Sequence, residues 1–379
     1  MMKNKMLSNS KIQIKNNNSL SNKNKDDPKY IKFFKNLVRN PVVIKNLIVF
    51  KSIYDEFIMI YQDENSSIVS YNLVDYKKLI EIKNLNIYIN EIKYYLDESY
   101  KRDLVVIISM KRNNIKLWNA NTWDLILNID YKIGNFYLNI NSICFLKNKN
   151  NIYLVASCVN LPDIQLIHIY DLNGNKVKEI NDTKSKSNYV DTFYDTNFSK
   201  SYIIIATNDD IRAIDYEENK IFKKYISIEG KSKVINIKLN EKQKQALHIN
   251  GNYTIKQEIP LKGPIERVII KEYSNITKLF AAENDGFVRI WNFHDGNLLS
   301  EINISKSKVY DICLWDDEHL FAGYGGGIKL VDLKNNKIIK NFDEKGEARS
   351  IVTIDYHKFG KCLIIENYKG IFLWINKFS

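Results

Sequence analysis

Residues 288–302 read VRIWNFHDGNLLSEI: an apolar residue, any residue, an apolar residue, an aromatic one, then Asn, a polar turn and a second apolar run. Five to seven β-branched and aromatic residues bounded by Asn, Asp or Gly mark a strand, so the stretch reads as strand, turn, strand. The same template begins at Ile68 (IVSYNLVDYKKLIEI), Ile115 (IKLWNANTWDLILNI), Ile167 (IHIYDLNGNKVKEI), Ile211 (IRAIDYEENKIFKKY), Ile328 (IKLVDLKNNKIIKNF) and Ile371 (IFLWINKFS). In chain order the seven starts lie 47, 52, 44, 77, 40 and 43 residues apart. The long gap fits two periods, and a weak copy lies inside it: strands at Val234 to Leu239, Ala246 to Ile249 and Tyr253 to Gln257, with the hairpin-favouring pair Asn250-Gly251 between the last two. Further β runs, Leu104–Ile108, Tyr202–Ala206 and Val309–Trp315, fall between the copies. Helical stripes are scarce, so the chain is all-β and built from seven clear repeats and one degenerate one.

The composition bounds the rest. With 379 residues, 45% of them hydrophobic, the chain buries a full core without disulfide or metal staples. It holds 57 Ile, 49 Lys and 48 Asn but only 7 Arg, so its net charge of +12 is almost wholly lysine and partly follows the codon usage of an AT-rich genome. That discounts the charge as a sign of nucleic-acid binding, which also recruits Arg for bidentate contacts. No apolar run reaches membrane-span length and the first 30 residues lack a secretory h-region, so an intracellular protein, cytoplasmic or nuclear, is expected. Residues 1–28, rich in Lys, Asn and Ser, are expected to be a disordered tail, and residues 29–379 the folded domain.

A period of 40 to 50 residues with four strands per unit is the signature of a β-propeller with WD-type blades. The chain resembles a divergent WD-repeat protein over roughly residues 40 to 379. Trp118-Asn119, Tyr170-Asp171, Ile214-Asp215, Trp291-Asn292, Val331-Asp332 and Trp374-Ile375 stand at the Trp-Asp position, and Asp285-Gly286 resembles the tight turn before the third strand. The Gly-His pair that opens a typical repeat is absent, and Ala281 stands where the family pattern has Ser, so the buried Asp-His-Ser-Trp network is expected to be missing. The resemblance implies seven or eight four-stranded blades, with Trp118, Tyr170, Trp291 and Trp374 as blade core. It also implies a ring closed by an N-terminal strand, because the last repeat ends after its third strand. Either Tyr30 to Leu37 or Val42 to Val49 supplies the fourth.

Motifs for chemistry are weak. The run Gly323-Tyr324-Gly325-Gly326-Gly327 has β-type sequence on both sides, whereas a phosphate-cradling loop opens a helix, so it reads as a turn. The five histidines are scattered with no metal-ligand spacing, and Cys144, Cys158, Cys313 and Cys362 form no CxxC. Asn65-Ser66-Ser67 and Asn275-Ile276-Thr277 match the glycosylation pattern, as chance dictates in so Asn-rich a chain. No catalytic residue, metal or cofactor is expected, and an enzyme is not.

A rigid disc whose loops present a broad polar surface suits a protein-binding platform. The expectation is a non-catalytic scaffold subunit of a multiprotein complex. In the family the surface formed by the loops between second and third strands, and between blades, most often holds the partner, which implies a face carrying Lys111, Arg112, Asp209, Asp210, Asn284, Asp285, Tyr324 and Tyr368. Trp123 and Tyr324, in or near turns, are further candidates for exposed contacts. The second reading is a basic propeller associating with RNA or an anionic membrane, drawn from the charge and the Lys-rich stretch from Lys223 to Lys244. No Arg-Arg pair of the phosphoinositide-binding kind occurs.

Overall fold

The computed structural model describes residues 31–376 except 40–46, 64, 84–88, 110–113, 131, 134–135, 138, 161–163, 182–186, 209, 226–232, 239–253, 260–263, 343–345 and 357–359. The expected tail at 1–28 lies outside the described residues. After β1 (Ile31–Arg39), blade one is β2–β5 (Ile48–Lys51, Phe57–Gln62, Ile68–Asn72, Lys78–Ile82) and blade two β6–β9 (Ile89–Asp97, Arg102–Ser109, Asn114–Asn119, Asp124–Asp130). A small pair, β10 (Lys132–Ile133) and β11 (Phe136–Tyr137), precedes blade three, β12–β15 (Asn139–Asn148, Asn151–Asn160, Ile164–Asp171, Lys176–Asn181). Blade four is β16–β19 (Ser187–Asp195, Lys200–Thr207, Ile211–Asp215, Lys220–Tyr225), followed by the hairpin β20 (Lys233–Lys238) and β21 (Thr254–Ile259). Blade five is β22–β25 (Ile265–Glu272, Thr277–Glu283, Phe287–Asn292, Leu298–Asn303) and blade six β26–β29 (Val309–Leu314, His319–Tyr324, Gly327–Asp332, Lys337–Phe342). The chain ends in β30–β32 (Ser350–Tyr356, Gly360–Asn367, Gly370–Asn376).

Each blade is an antiparallel meander whose first strand is innermost, and each inner strand packs against the inner strands of both neighbouring blades, which closes a seven-membered ring. Blade seven takes its outer strand from the other end of the chain. The order is β1-β32-β31-β30, with Ile31 opposite Asn376 and Arg39 opposite Gly370. Of the two candidate closing strands it is therefore the earlier that closes the ring. The stretch from Ile48 onward opens blade one instead. Pairing first strand with last leaves blade seven no open third strand and ties the ends of the ring together.

The eighth blade is not formed. The degenerate copy becomes the two-stranded hairpin β20-β21, with Lys233 opposite Ile259 and Lys238 opposite Thr254. Among the described residues this sheet has two strands where each blade has four, and the expected Ala246 to Ile249 strand and Asn250-Gly251 lie outside the described residues. The Gly-rich run is a turn through Gly325-Gly326 that joins β27 to β28, with strands on both sides.

The Asp or Asn of the repeat template has one task in six blades. Its side-chain oxygen accepts the N–H two residues on and fixes the turn into the outer strand. The pairs are Asn72 with Val74 at 2.8 Å, Asn119 with Asn121 at 3.0 Å, Asp171 with Asn173 at 2.9 Å, Asp215 with Glu217 at 3.0 Å, Asn292 with His294 at 3.0 Å and Asp332 with Lys334 at 2.9 Å. The residues before it pack between blades. Trp118, Tyr170, Trp291 and Trp374 are buried, Trp291 in a cluster shared by blades four and five with Tyr202, Tyr225 and Phe293. The Trp291 indole N–H has no hydrogen-bond partner among the described residues. Ala281, on the same face of the adjacent strand, offers it no acceptor.

The candidate site at the channel mouth

The inner strands begin at one end of the ring, and there five of them carry the same irregularity. The ladder to the second strand skips one residue, Asn90, Asn141, Asn188, Glu266 or Tyr310 in blades two to six. A bulge turns an extra side chain out of the sheet. Here it presents two consecutive residues of each blade, the bulged one and its successor (Glu91, Ser142, Tyr189, Arg267 or Asp311), to a cavity of about 340 Å³ on the ring axis, which Arg349 and Ser350 of blade seven also line.

Many of the polar groups at this mouth bind the ring together. Asn90 donates to the carbonyls of Ile140, at 3.1 Å, and Asn141, at 2.7 Å; Asn141 donates to that of Ser187 at 2.8 Å. The successor residues accept backbone N–H groups of the next blade: Glu91 from Ile143 at 2.8 Å, Ser142 from Val190 at 3.1 Å and Asp311 from Ile351 at 2.8 Å. Deeper in, Lys93 lies 3.1 Å from Glu91 and donates to the Tyr189 hydroxyl at 3.2 Å, which donates to Asp191 at 2.6 Å. Burial alone lowers the pKa of Lys93, but Glu91 and Tyr189 outweigh it and hold the ammonium charged. The Arg267 guanidinium stands 5.6 Å from the Tyr189 ring centroid on the cavity side. Behind Ser350, burial pushes the Glu366 carboxyl well above its ordinary range, with Arg349 opposing the shift and Asp311 adding to it.

Those of the residues nominated by the family pattern that are described, Asp210, Asn284, Asp285, Tyr324 and Tyr368, fall at this same end, in or beside the turns between second and third strands. Lys111, Arg112 and Asp209 lie outside the described residues. Asp210 is buried, its carboxylate bonded to Thr207 at 3.0 Å and to Arg212 at 2.9 Å, so it shapes its turn. Asn284 and Asp285 are half-buried, and Asp285 lies 2.8 Å from Arg289. Tyr324 is half-buried under Lys329, and Tyr368 is 51% exposed beside Gly346. Trp123, at the opposite end, is partly buried against the core of blades one and two. Sequence reasoning missed the channel-mouth residues. Their signal was a polar residue before Ile or Val early in the first strands of blades two to seven: Glu91-Ile92, Ser142-Ile143, Tyr189-Val190, Arg267-Val268, Asp311-Ile312 and Ser350-Ile351.

Among the described residues no group of three or more His, Cys, Asp or Glu is placed to hold a metal ion, and no helix is long and apolar enough to cross a membrane. The four cysteines are buried and none forms a disulfide among the described residues, and burial pushes the Cys362 thiol up to about 12. No family model matches the chain. Over 108 residues it is 23% identical to the U3 small nucleolar RNA-associated protein 21 homolog of Schizosaccharomyces pombe, a stretch that covers 28% of this chain and 12% of that protein.

Proposed function

We propose that this chain, a seven-bladed β-propeller of the divergent WD-repeat kind, is a non-catalytic protein-interaction platform that seats its partner on the channel-mouth face. The observation that carries the reading is the mouth itself. Bulges in five blades spend ladder hydrogen bonds to place polar side chains around one opening, on a scaffold whose rigidity keeps the ordering cost of association low. The surrounding turns, with Asn284, Asp285, Tyr324 and Tyr368, form the rim of the same face. On this reading the platform works inside the cell, in the cytoplasm or the nucleus, as a subunit of a multiprotein complex.

A second reading has a specific support. The relative with the 108-residue similarity is named for its association with a small nucleolar RNA, and the stretch Lys223 to Lys244 is rich in lysine. On that reading the platform works inside a ribonucleoprotein particle. The test is capture of the tagged full chain from its own cells, with and without nuclease, at low and high salt. The platform reading expects the same proteins in every arm. Loss of all of them on nuclease treatment, with a steep fall as salt rises, overturns it in favour of direct RNA contact, because phosphate contacts release counterions.

A further inference from the structure

We infer that the channel mouth grips one carboxylate side chain of the partner, an Asp or Glu on a protein segment, through Arg267; this rests on the platform reading above. Among the described arginine side chains, four sit on carboxylates at bonding distance: Arg102 on Asp97 at 2.9 Å, Arg212 on Asp210 at 2.9 Å, Arg289 on Glu301 at 2.6 Å and Arg349 on Glu347 at 2.5 Å. Arg267 differs. Among the described residues its nearest carboxylate oxygen, on Asp311, is 3.6 Å from Nε and that buried Nε has no hydrogen-bond partner, while the side chain is 39% exposed and lines the cavity. A guanidinium carries five donors in a fixed fork that matches a carboxylate with two parallel bonds.

The acidic groups around it are already engaged. Glu91 accepts from Ser142 and Ile143, Asp191 from Tyr189 and Thr192, Asp311 from Ile312 and Ile351, and Glu266 faces Lys308 at 2.5 Å. What the mouth leaves unfilled is a donor set, so its ligand supplies acceptors. Charge limits how many. The charged side chains that line the cavity balance, Glu91, Glu266 and Asp311 against Lys93, Arg267 and Arg349, so one negative charge is held in direct contact with the guanidinium, whereas a phosphodiester chain, which draws on many cations, finds no surplus of them. The Tyr189 ring, 5.6 Å from the fork, and the Tyr310 ring elsewhere on the cavity wall suit the methylenes of an acidic side chain.

The test uses the full chain on a peptide array in which every Asp- or Glu-containing peptide is printed beside its Asn or Gln counterpart. Acidic peptides are expected to bind at least tenfold more strongly than their amide pairs. Arg267→Gln is expected to abolish that preference and Arg267→Lys to keep part of it, while Lys220→Gln on the outer strand of blade four changes nothing. Thermal melts check that each variant folds; where Arg267→Gln does not, the acid and amide pairs on the wild-type chain still decide. Equal binding of acid and amide peptides, an unchanged preference in Arg267→Gln, or oligouridylate binding that depends on Arg267 in place of peptide binding overturns the inference. Peptide binding indifferent to Arg267 sinks it while leaving the platform reading intact. Absence of any peptide binding, with no protein retained on capture, removes both.

Discussion

The Asp311 carboxylate of blade six accepts the backbone N–H of Ile351 in blade seven at 2.8 Å, across a gap of 40 residues in sequence. The same bond joins Glu91 to Ile143 and Ser142 to Val190, so three blade junctions are stapled by the residue that follows the bulge. Asp311 is nearly buried, and its other oxygen holds its neighbour's N–H, that of Ile312, at 2.9 Å. Truncating it strands those N–H groups away from water, which costs more than the net worth of the bonds themselves. Asp311→Ala is therefore expected to lose about 2 to 3 kcal/mol in chemical denaturation. Asp311→Asn, which keeps an acceptor, loses less. Equal losses from the two would show that the staple is not what the carboxylate contributes.

Trp291 and Trp123 separate core from surface. Trp291 is 1% exposed and packs among aromatic rings of blades four and five, so Trp291→Ala is expected to cost about 3 to 5 kcal/mol through the cavity it leaves. Trp123→Ala opens a site already part-exposed and costs less. Because the Trp291 indole N–H has no partner among the described residues, Trp291→Phe removes volume without removing a hydrogen bond, and its loss is expected to stay near 1 kcal/mol. A Phe variant as damaged as the Ala variant would mean that the indole N–H is bonded after all.

The ring was legible because each repeat writes its turn locally. An Asp or Asn that caps the turn into the outer strand needs only residues two positions away, so Asn72, Asp171 and Asp332 leave the same mark in the sequence as in the fold. The number of blades was not legible in the same way. The segment 233–259 carries strand and turn signals like those of a blade, yet among the described residues its sheet holds only two strands, a count that depends on partners the local sequence does not name. The channel mouth was hidden for a different reason. Glu91 meets Ile143 from 52 residues away, and a bulge is set by how two strands pair, which composition and periodicity do not record. The nominated Asp210 illustrates the converse: its place in a turn was readable, but its carboxylate is spent on Arg212.

Glu366 gives the protein a pH dependence with a definite sign. Burial raises its pKa in the folded chain, while in the unfolded chain it ionises near pH 4.3. Between those values the unfolded state binds fewer protons than the folded one, so the contribution is fully present below about pH 4.3 and is lost as pH rises through the folded pKa. Glu366→Gln, neutral at every pH, is expected to match the wild type in acid and to become progressively more stable than it toward neutral and alkaline pH. Denaturation curves across that range make the comparison. A difference between the two proteins that does not change with pH would place the charge elsewhere.

Closure by β1 makes the sharpest demand on the fold. Its partner β32 belongs to the blade that completes the ring, and Leu37 and Val38 pack against the core shared by blades seven and one. Removing residues 1–28 leaves this strand whole, and stability is expected to stay within error of the full chain. Removing residues 1–40 deletes the strand, exposes the β32 edge and strips cover from Leu373 and Ile375. An open apolar edge pairs with other chains, so this variant is expected to aggregate or to lose its single cooperative transition. Because the deletions differ by twelve residues, the contrast isolates the strand. A synthetic peptide of residues 29–40 supplied in trans restores the missing pairing and is expected to recover soluble protein. A soluble, cooperatively unfolding chain without residues 1–40 would mean that the ring is held by its inner strands and staples alone.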